Sequence, residues 1–363
     1  VMAKHAVLKG PTIWRSLPCA KSELRLDLTL ACGQSFRWRE TAEGHWTGVM
    51  GGRVWTLTQT DDTLLYYIYP NQDMQIEGKE PGALKKEDEE PVAVTSVQDR
   101  DDTEEAERML RDYFQLNVNF ADLCMSWGAA DPHFKRIADT FKGVRMLRQD
   151  PTECLFSIIC TINNNITRVQ SMVEKLCKAL GTPLCQLDQT SYYDFPSLSA
   201  LADSTVEERL RGLGFGYRAR FLQQSSKQIL DTHGLQWLDG LRSVSYLQAR
   251  EALCTLPGVG NKVADCACLM SLDKAEAVPI DTHMWQIAKR DYNFTDNKKQ
   301  KTITDQLYRE IGDFFRNLWG PYAGWAQAVL FCADLKRFQK LKEMPNLKQP
   351  KKEEDNVEDE SSM

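Results

Sequence analysis

A chain of 363 residues with 42% hydrophobic content can bury a sizeable core and predicts about two domains. Its formal net charge of −6 excludes a global basic field, so any contact with nucleic acid must rest on local charge and backbone amides. No apolar run approaches ~18 residues, which argues against a membrane span, and eleven scattered cysteines with no apolar leader before them predict a reducing compartment.

Residues 1–11 are expected to be flexible. Lys4, His5 and Lys9, with no acid before Glu23, are compatible with a mitochondrial presequence and equally with a frayed terminus. Trp14 to Tyr69 is β-rich: Trp46 to Leu57 and Leu64 to Tyr69 carry aromatic and β-branched residues, with Gly51-Gly52 as a hairpin turn in an antiparallel sheet. Asn71 to Thr103 is charged, Pro-containing and poor in aromatics, and reads as a disordered insertion. Acidity concentrates here, since Asn71 to Arg108 holds 13 acidic and 5 basic residues and leaves the remainder slightly positive.

From Glu104 onward the pattern is helical, with apolar residues recurring at Met109, Tyr113 and Phe114, at Phe134, Ile137 and Ala138, and at Leu155, Ile158 and Ile159. Ser245 to Thr255 and Val263 to Leu272 read as two amphipathic helices around Leu256-Pro257-Gly258-Val259-Gly260-Asn261-Lys262. Pro257 and Gly258 end the first helix and Asn261 is expected to cap the second, so the turn amides and the second helix's N-terminus face an anion. An ordinary Gly-rich turn between packed helices is the alternative. Lys262 favours chemistry, because the helix dipole opposes a positive charge in the first turn and a lysine nucleophile must be neutral to attack. Asp281, in Val-Pro-Ile-Asp-Thr-His, reads first as the N-cap of a helix from Thr282 to Arg290; a capping carboxylate can also stabilise a developing cation. Beyond Lys336 the chain turns lysine-rich and then acidic. Pro-Lys-Lys at 350–352 is a nuclear-import candidate in what otherwise reads as a solvated tail. Cys266 and Cys268 form only C-x-C, with no partner cluster for a metal.

These motifs, together with Cys32-Gly33-Gln34-Ser35-Phe36-Arg37-Trp38, Asn163-Asn164-Asn165-Ile166, Gly216-Tyr217-Arg218-Ala219-Arg220 and the run from Trp319 to Gln327, resemble the eukaryotic 8-oxoguanine DNA glycosylase/AP lyase family. That family lies within the helix-hairpin-helix base-excision glycosylases, and the likeness runs from about Trp14 to Leu335. It implies an α+β fold: an N-terminal antiparallel β-sheet domain (12–143, with the insertion at 71–103), a helix-hairpin-helix glycosylase domain (144–335) and a disordered charged tail (336–363). It implies Lys262 and Asp281 as catalytic residues, and a base pocket of Gly33, Cys266, Pro279, Asp281, Gln327 and Phe331. Gly33 would offer its carbonyl to the N7 hydrogen that 8-oxoguanine has and guanine lacks. Gln327 and Phe331, four apart on one helical face, would read the purine edge and stack on its ring. The implied DNA contacts are Asn163, Arg168, Tyr217, Arg218, Gly258, Gly260, His283 and Gln300, with Asp334 supporting His283.

On residues alone the asparagines could be a polar loop with a helix cap, Gly212 to Arg220 a helix terminus with a basic cap, and Phe331 simple core. The resemblance implies no redox cofactor and no iron-sulfur cluster, since only Cys332 lies beyond Cys268. It also implies a structural cation at the carbonyls of Cys254, Leu256 and Val259. The expected partner is duplex DNA holding 8-oxoguanine opposite cytosine, engaged by a monomer in the nucleus with a mitochondrial fraction. A glycosylase for another damaged base and a non-catalytic DNA-binding hairpin module are the alternatives.

Overall fold

The computed structural model describes residues 4–8, 13–72, 97–295 and 301–343. Most of the acidic segment, Lys9, Gln300 and the Pro-Lys-Lys run lie outside the described residues. Strands β1 Arg15–Pro18, β2 Trp38–Ala42, β3 His45–Met50, β4 Arg53–Gln59 and β5 Thr63–Tyr69 form one antiparallel sheet in the order β1-β5-β4-β3-β2. Gly51 and Gly52 connect β3 to β4 with φ of +58° and +69°, the paired positive angles that let a two-residue turn follow the strands' twist.

Helices of eight or more residues are numbered in chain order: α1 Val97–Tyr113, α2 Phe120–Ala130, α3 Pro132–Thr140, α4 Pro151–Ile159, α5 Ile166–Leu180, α6 Arg218–Thr232, α7 Tyr246–Cys254, α8 Asn261–Ser271, α9 Thr282–Tyr292, α10 Asp305–Trp319 and α11 Ala323–Asp334. Three boundaries differ from expectation. Helix α1 begins at Val97, inside the stretch to Thr103 assigned to the insertion. Asp101, Asp102 and Glu104 are exposed and Glu105 pairs with Arg53 at 2.9 Å, while Ala106 and Leu110 are buried, so average composition hid an amphipathic helix. The expected tail also starts late: Lys336–Phe338 and Gln339–Glu343 are helical, and buried Phe338 packs edge-on against Phe141.

The third difference is a second hairpin, β6 Pro183–Leu187 with β7 Thr190–Tyr193, in a region read as helical throughout. Leu184 and Cys185 pack on Val49 and Val54 of the sheet. Covered on both sides there, β3 is buried at five of six positions and β4 at its four central ones, and neither shows a clean alternation. Sheet and helices share one continuous core. Trp38 Nε1 donates to Tyr113 Oη at 3.0 Å, and Arg37 joins Glu153 of α4 at 3.1 Å to the Tyr193 carbonyl at 2.5 Å. The β-layer is thereby fixed against the helices that hold the site.

Candidate active site

Helix α7 opens with a full capping box, Ser245 with Gln248, and ends at Thr255; α8 starts at Asn261. Between them Gly258 has φ +76°, and a Cβ there would stand 2.4 Å from the Phe221 ring. Helix α6 buttresses the turn from behind: besides Phe221, Ser225 Oγ donates to the Pro257 carbonyl at 2.8 Å and Gln228 Nε2 to that of Thr255 at 3.2 Å. Among the described residues no hydrogen bond reaches the amides of Gly258 or Gly260, which leaves both for an anion. Asn261 is not the cap expected of it. Gly260 occupies that position, and Asn261 instead accepts from Arg250 at 2.8 Å and donates to Asp305 of α10 at 2.8 Å.

The two hairpin glycines should respond differently to alanine. Gly258→Ala meets both the wrong backbone angle and the Phe221 ring, and is expected to lower stability by about 1–3 kcal/mol. At Gly260 a Cβ meets nothing within 4 Å, so Gly260→Ala should melt close to wild type while weakening duplex binding. Thermal unfolding and fluorescence-anisotropy titration check both; equal melting losses would contradict the assigned packing.

Lys262 occupies the second position of α8, and Asp281 caps α9, its Oδ1 accepting the Met284 N–H at 2.8 Å. The cap leaves Asp281 Oδ2 with no hydrogen bond among the described residues. Both side chains line one cavity of about 170 Å³, together with Gly33, Cys266, Pro279, Gln327 and Phe331. Burial pushes the Cys266 thiol up to about 12 despite the nearby Lys262, so it is a neutral wall at physiological pH. Gln327 is buried, yet no hydrogen bond among the described residues engages its amide, and Phe331 is half-buried with its ring 5.2 Å from His283.

Gly33 sits at φ +87° on the opposite wall, against Ile166. Its neighbour Gln34, which sequence reasoning passed over, pins it there. Gln34 Nε2 donates to the Arg145 carbonyl at 2.8 Å, its Oε1 accepts the Leu147 N–H at 2.9 Å, and its own carbonyl accepts from Gln149 at 3.0 Å. No hydrogen bond among the described residues reaches the Gly33 carbonyl. Phe36, Ile166 and Val169 also line the cavity. Phe36 and Ile166 stand within the sequence motifs but are not singled out by them, and Val169 carries only the apolar periodicity that does not separate a pocket wall from core.

The three asparagines divide their work. Asn165 caps α5 through the Arg168 N–H at 3.0 Å, and Asn164 donates to the Cys160 carbonyl at 3.1 Å. Asn163 is exposed at φ +48°, a left-handed angle that asparagine tolerates, and donates to Tyr217 Oη at 3.2 Å. Tyr217 is 43% exposed and packs edge-on against Phe221, the ring beneath Gly258. Arg168 is exposed, with no partner for its guanidinium among the described residues.

Arg218, one of the implied DNA contacts, is largely engaged within the free protein. It is only 4% exposed, its Nε donates to the Ile162 carbonyl at 2.9 Å, and Nη2 donates to the carbonyls of Ile162 and Asn163. With Nη1 also near the Phe215 carbonyl at 3.5 Å, four of the five guanidinium donors are used. In the free protein Arg218 braces the Asn163 loop, and Arg168 is the arginine open for bidentate contact.

Outside the cavity, Asp334 is hydrogen-bonded to His283 and accepts from Arg290 at 2.9 Å. Burial favours its neutral form, but the Arg290 and His283 contacts outweigh that and keep its carboxyl below the usual range. Of the carbonyls expected to face a cation, that of Leu256 accepts the Val259 N–H at 3.1 Å and retains one lone pair. All eleven cysteines are unpaired, and no helix among the described residues is long and apolar enough to cross a membrane.

The hairpin and its lysine define the class: residues 156–312 match the HhH-GPD superfamily of base excision DNA repair proteins. Residues 16–155 match the 8-oxoguanine DNA glycosylase N-terminal domain, which carries the β-layer and ends within α4. N-glycosylase/DNA lyase OGG1 of Arabidopsis thaliana is 36% identical over 330 residues, covering 90% of this chain and 81% of its own length. The N-glycosylase/DNA lyase of Saccharomyces cerevisiae is 32% identical over 339 residues, covering 87% and 84%. Among solved structures, the apo 8-oxoguanine glycosylase/lyase of Clostridium acetobutylicum superposes with a TM-score of 0.69 at 26% identity, covering 85% of this chain and 92% of that one. The chain belongs to the 8-oxoguanine DNA glycosylase family of bifunctional N-glycosylase/DNA lyases.

Proposed function

We propose that the protein flips 8-oxoguanine, and formamidopyrimidine-guanine, out of duplex DNA opposite cytosine, excises it by Schiff-base chemistry at Lys262 and nicks the strand by β-elimination. The observation that carries this reading is the single cavity shared by Lys262, Asp281, Gly33, Gln327 and Phe331. Its polar groups suit the lesion. The Gly33 carbonyl accepts the N7 hydrogen of 8-oxoguanine and opposes the guanine lone pair, Gln327 donates and accepts along the Watson–Crick edge, and Phe331 stacks.

Extrusion leaves a gap, which Asn163 fills while Tyr217 wedges the stack and Arg168 meets the orphaned cytosine. Hairpin amides at Gly258 and Gly260, with His283 and Gln300, hold the backbone; the carbonyls of Cys254, Leu256 and Val259 would hold a cation, which would supply positive charge to the same phosphate. As the C1′–base bond breaks, Asp281 stabilises positive charge on the sugar and the neutral Lys262 amine bonds to C1′; opening of the C1′–O4′ bond, with a proton passing to O4′, gives the Schiff base, and loss of the C2′ proton then expels the 3′ phosphate. No redox cofactor or nucleotide enters these steps. The enzyme acts as a monomer on nuclear DNA with a mitochondrial fraction.

Single-turnover excision from duplexes carrying 8-oxoguanine opposite C, A, G or T tests the assignment, with an oxidised pyrimidine and an alkylated purine in parallel. Cytosine should be favoured over adenine by at least about tenfold, the discrimination one good bidentate contact supplies. Equal rates opposite C and A would remove the opposite-base role of Arg168, and faster release of either other lesion would reassign the pocket.

A further inference from the structure

Asp265 lies one turn beyond Lys262 on α8, is 0% exposed and does not line the cavity. Its Oδ1 accepts the Tyr246 hydroxyl at 2.6 Å and lies 3.3 Å from Arg250 Nε, and its Oδ2 accepts the Tyr308 hydroxyl at 2.6 Å. Each branch leads toward a reacting group. Tyr308 Oη accepts the N–H of Ile280 at 3.3 Å, and Ile280 immediately precedes Asp281. Arg250 donates to Asn261 at 2.8 Å, and Asn261 immediately precedes Lys262.

Stability alone gives no reason for this arrangement. A buried carboxylate is costly unless its oxygens are met, and apolar residues would hold α7, α8 and α10 together as well. Burial raises the affinity of Asp265 for a proton, while the two tyrosine hydroxyls and Arg250 oppose it. A network in which both carboxylate oxygens accept hydroxyls at 2.6 Å and an arginine lies beside one of them instead restricts geometry, since each hydrogen bond accepts only a narrow range of distance and angle. The directions restricted here are those that move the backbone before Lys262 relative to the backbone before Asp281.

We propose that Asp265 is a positioning residue that, through Arg250–Asn261 on one side and Tyr308–Ile280 on the other, sets Lys262 and Asp281 at their working separation across the cavity. The proposal rests on the reading of those two residues as nucleophile and charge partner. Losing the network should leave DNA binding intact and slow the chemical step, because the DNA-contacting amides and loops are held separately by α6.

The test compares Tyr308→Phe, Asp265→Asn and the double variant with Tyr292→Phe, which removes a like bond to buried Asp131 at 2.7 Å at the far end of α9. Single-turnover excision of 8-oxoguanine:C duplex, borohydride trapping, duplex dissociation constants and melting curves are measured on each. Tyr308→Phe and Asp265→Asn should slow excision and trapping about ten- to a hundredfold, as small misplacements of reacting groups do, with duplex affinity within about twofold of wild type. The double variant should be no slower than the slower single, because both changes break one chain of contacts. Tyr292→Phe should keep the wild-type rate. Wild-type excision by Tyr308→Phe, additive losses in the double variant, or equal slowing by Tyr292→Phe would each overturn the proposal. Lys262→Gln run alongside separates the two readings: if it excises and traps normally the nucleophile assignment fails, and if it is inactive while Tyr308→Phe is normal only the positioning role fails.

Discussion

Lys262→Gln is expected to abolish the borohydride cross-link to 8-oxoguanine:C duplex and strand nicking, and to slow base excision by at least about a thousandfold, while the protein still binds the duplex. Glutamine preserves much of the side chain's reach and polarity but has no amine lone pair to attack C1′. The environment offers no ready substitute on the same helical face: Cys266, one turn along, is held as a neutral thiol by burial, its pKa near about 12. Binding should survive because the hairpin amides and the Asn163–Tyr217 contact are built by α6 and the α4–α5 loop, independently of the lysine. Reductive trapping resolved on denaturing gels, with anisotropy on the same preparations, reads both halves. An undiminished cross-link would move the nucleophile to another amine.

The sequence showed what local chemistry could show. Glycines at a turn, a lysine in the first turn of a helix and an aspartate before one each have a signature over a few residues, and all three fall where they were read. The pocket was legible only through likeness to a family. Gly33 and Phe331 are some three hundred positions apart in sequence, and a backbone carbonyl has no residue type of its own. What escaped was set by tertiary contact. The β6–β7 hairpin is short and lies between helices, and its residues become strand by packing on Val49 and Val54. Asn261 carried a capping residue's identity but is drawn sideways by Arg250 and Asp305, while Gly260 takes the cap. Arg218 reads as a basic DNA contact; that it also braces the loop carbonyls at 162 and 163 is visible only in the folded chain, which brings them within reach.

Arg145→Met is expected to cost about 3–5 kcal/mol of stability, the range for removing one partner from a buried charged network, and to lower the melting temperature by about 4–7 °C. The Arg145 side chain is 0% exposed and spends all five N–H donors on protein: Nε on the Phe114 carbonyl, Nη1 on the carbonyl and carboxylate of Glu23, and Nη2 on the carbonyls of Gln115 and Val118. Methionine fills much of the volume and leaves those acceptors without a donor. Arg145→Lys should recover little, because a compact ammonium with three donors cannot span acceptors arranged around a planar fork. The effect should also reach the cavity, since the Arg145 carbonyl anchors Gln34 and, through it, Gly33. At temperatures where the variant remains folded, selectivity for 8-oxoguanine over guanine should therefore fall more than the rate on the lesion. Calorimetric melting with paired excision assays on lesion and undamaged duplex measures both quantities. A melting temperature within about 2 °C of wild type would mean that the guanidinium's contacts contribute little net stability, whatever their number.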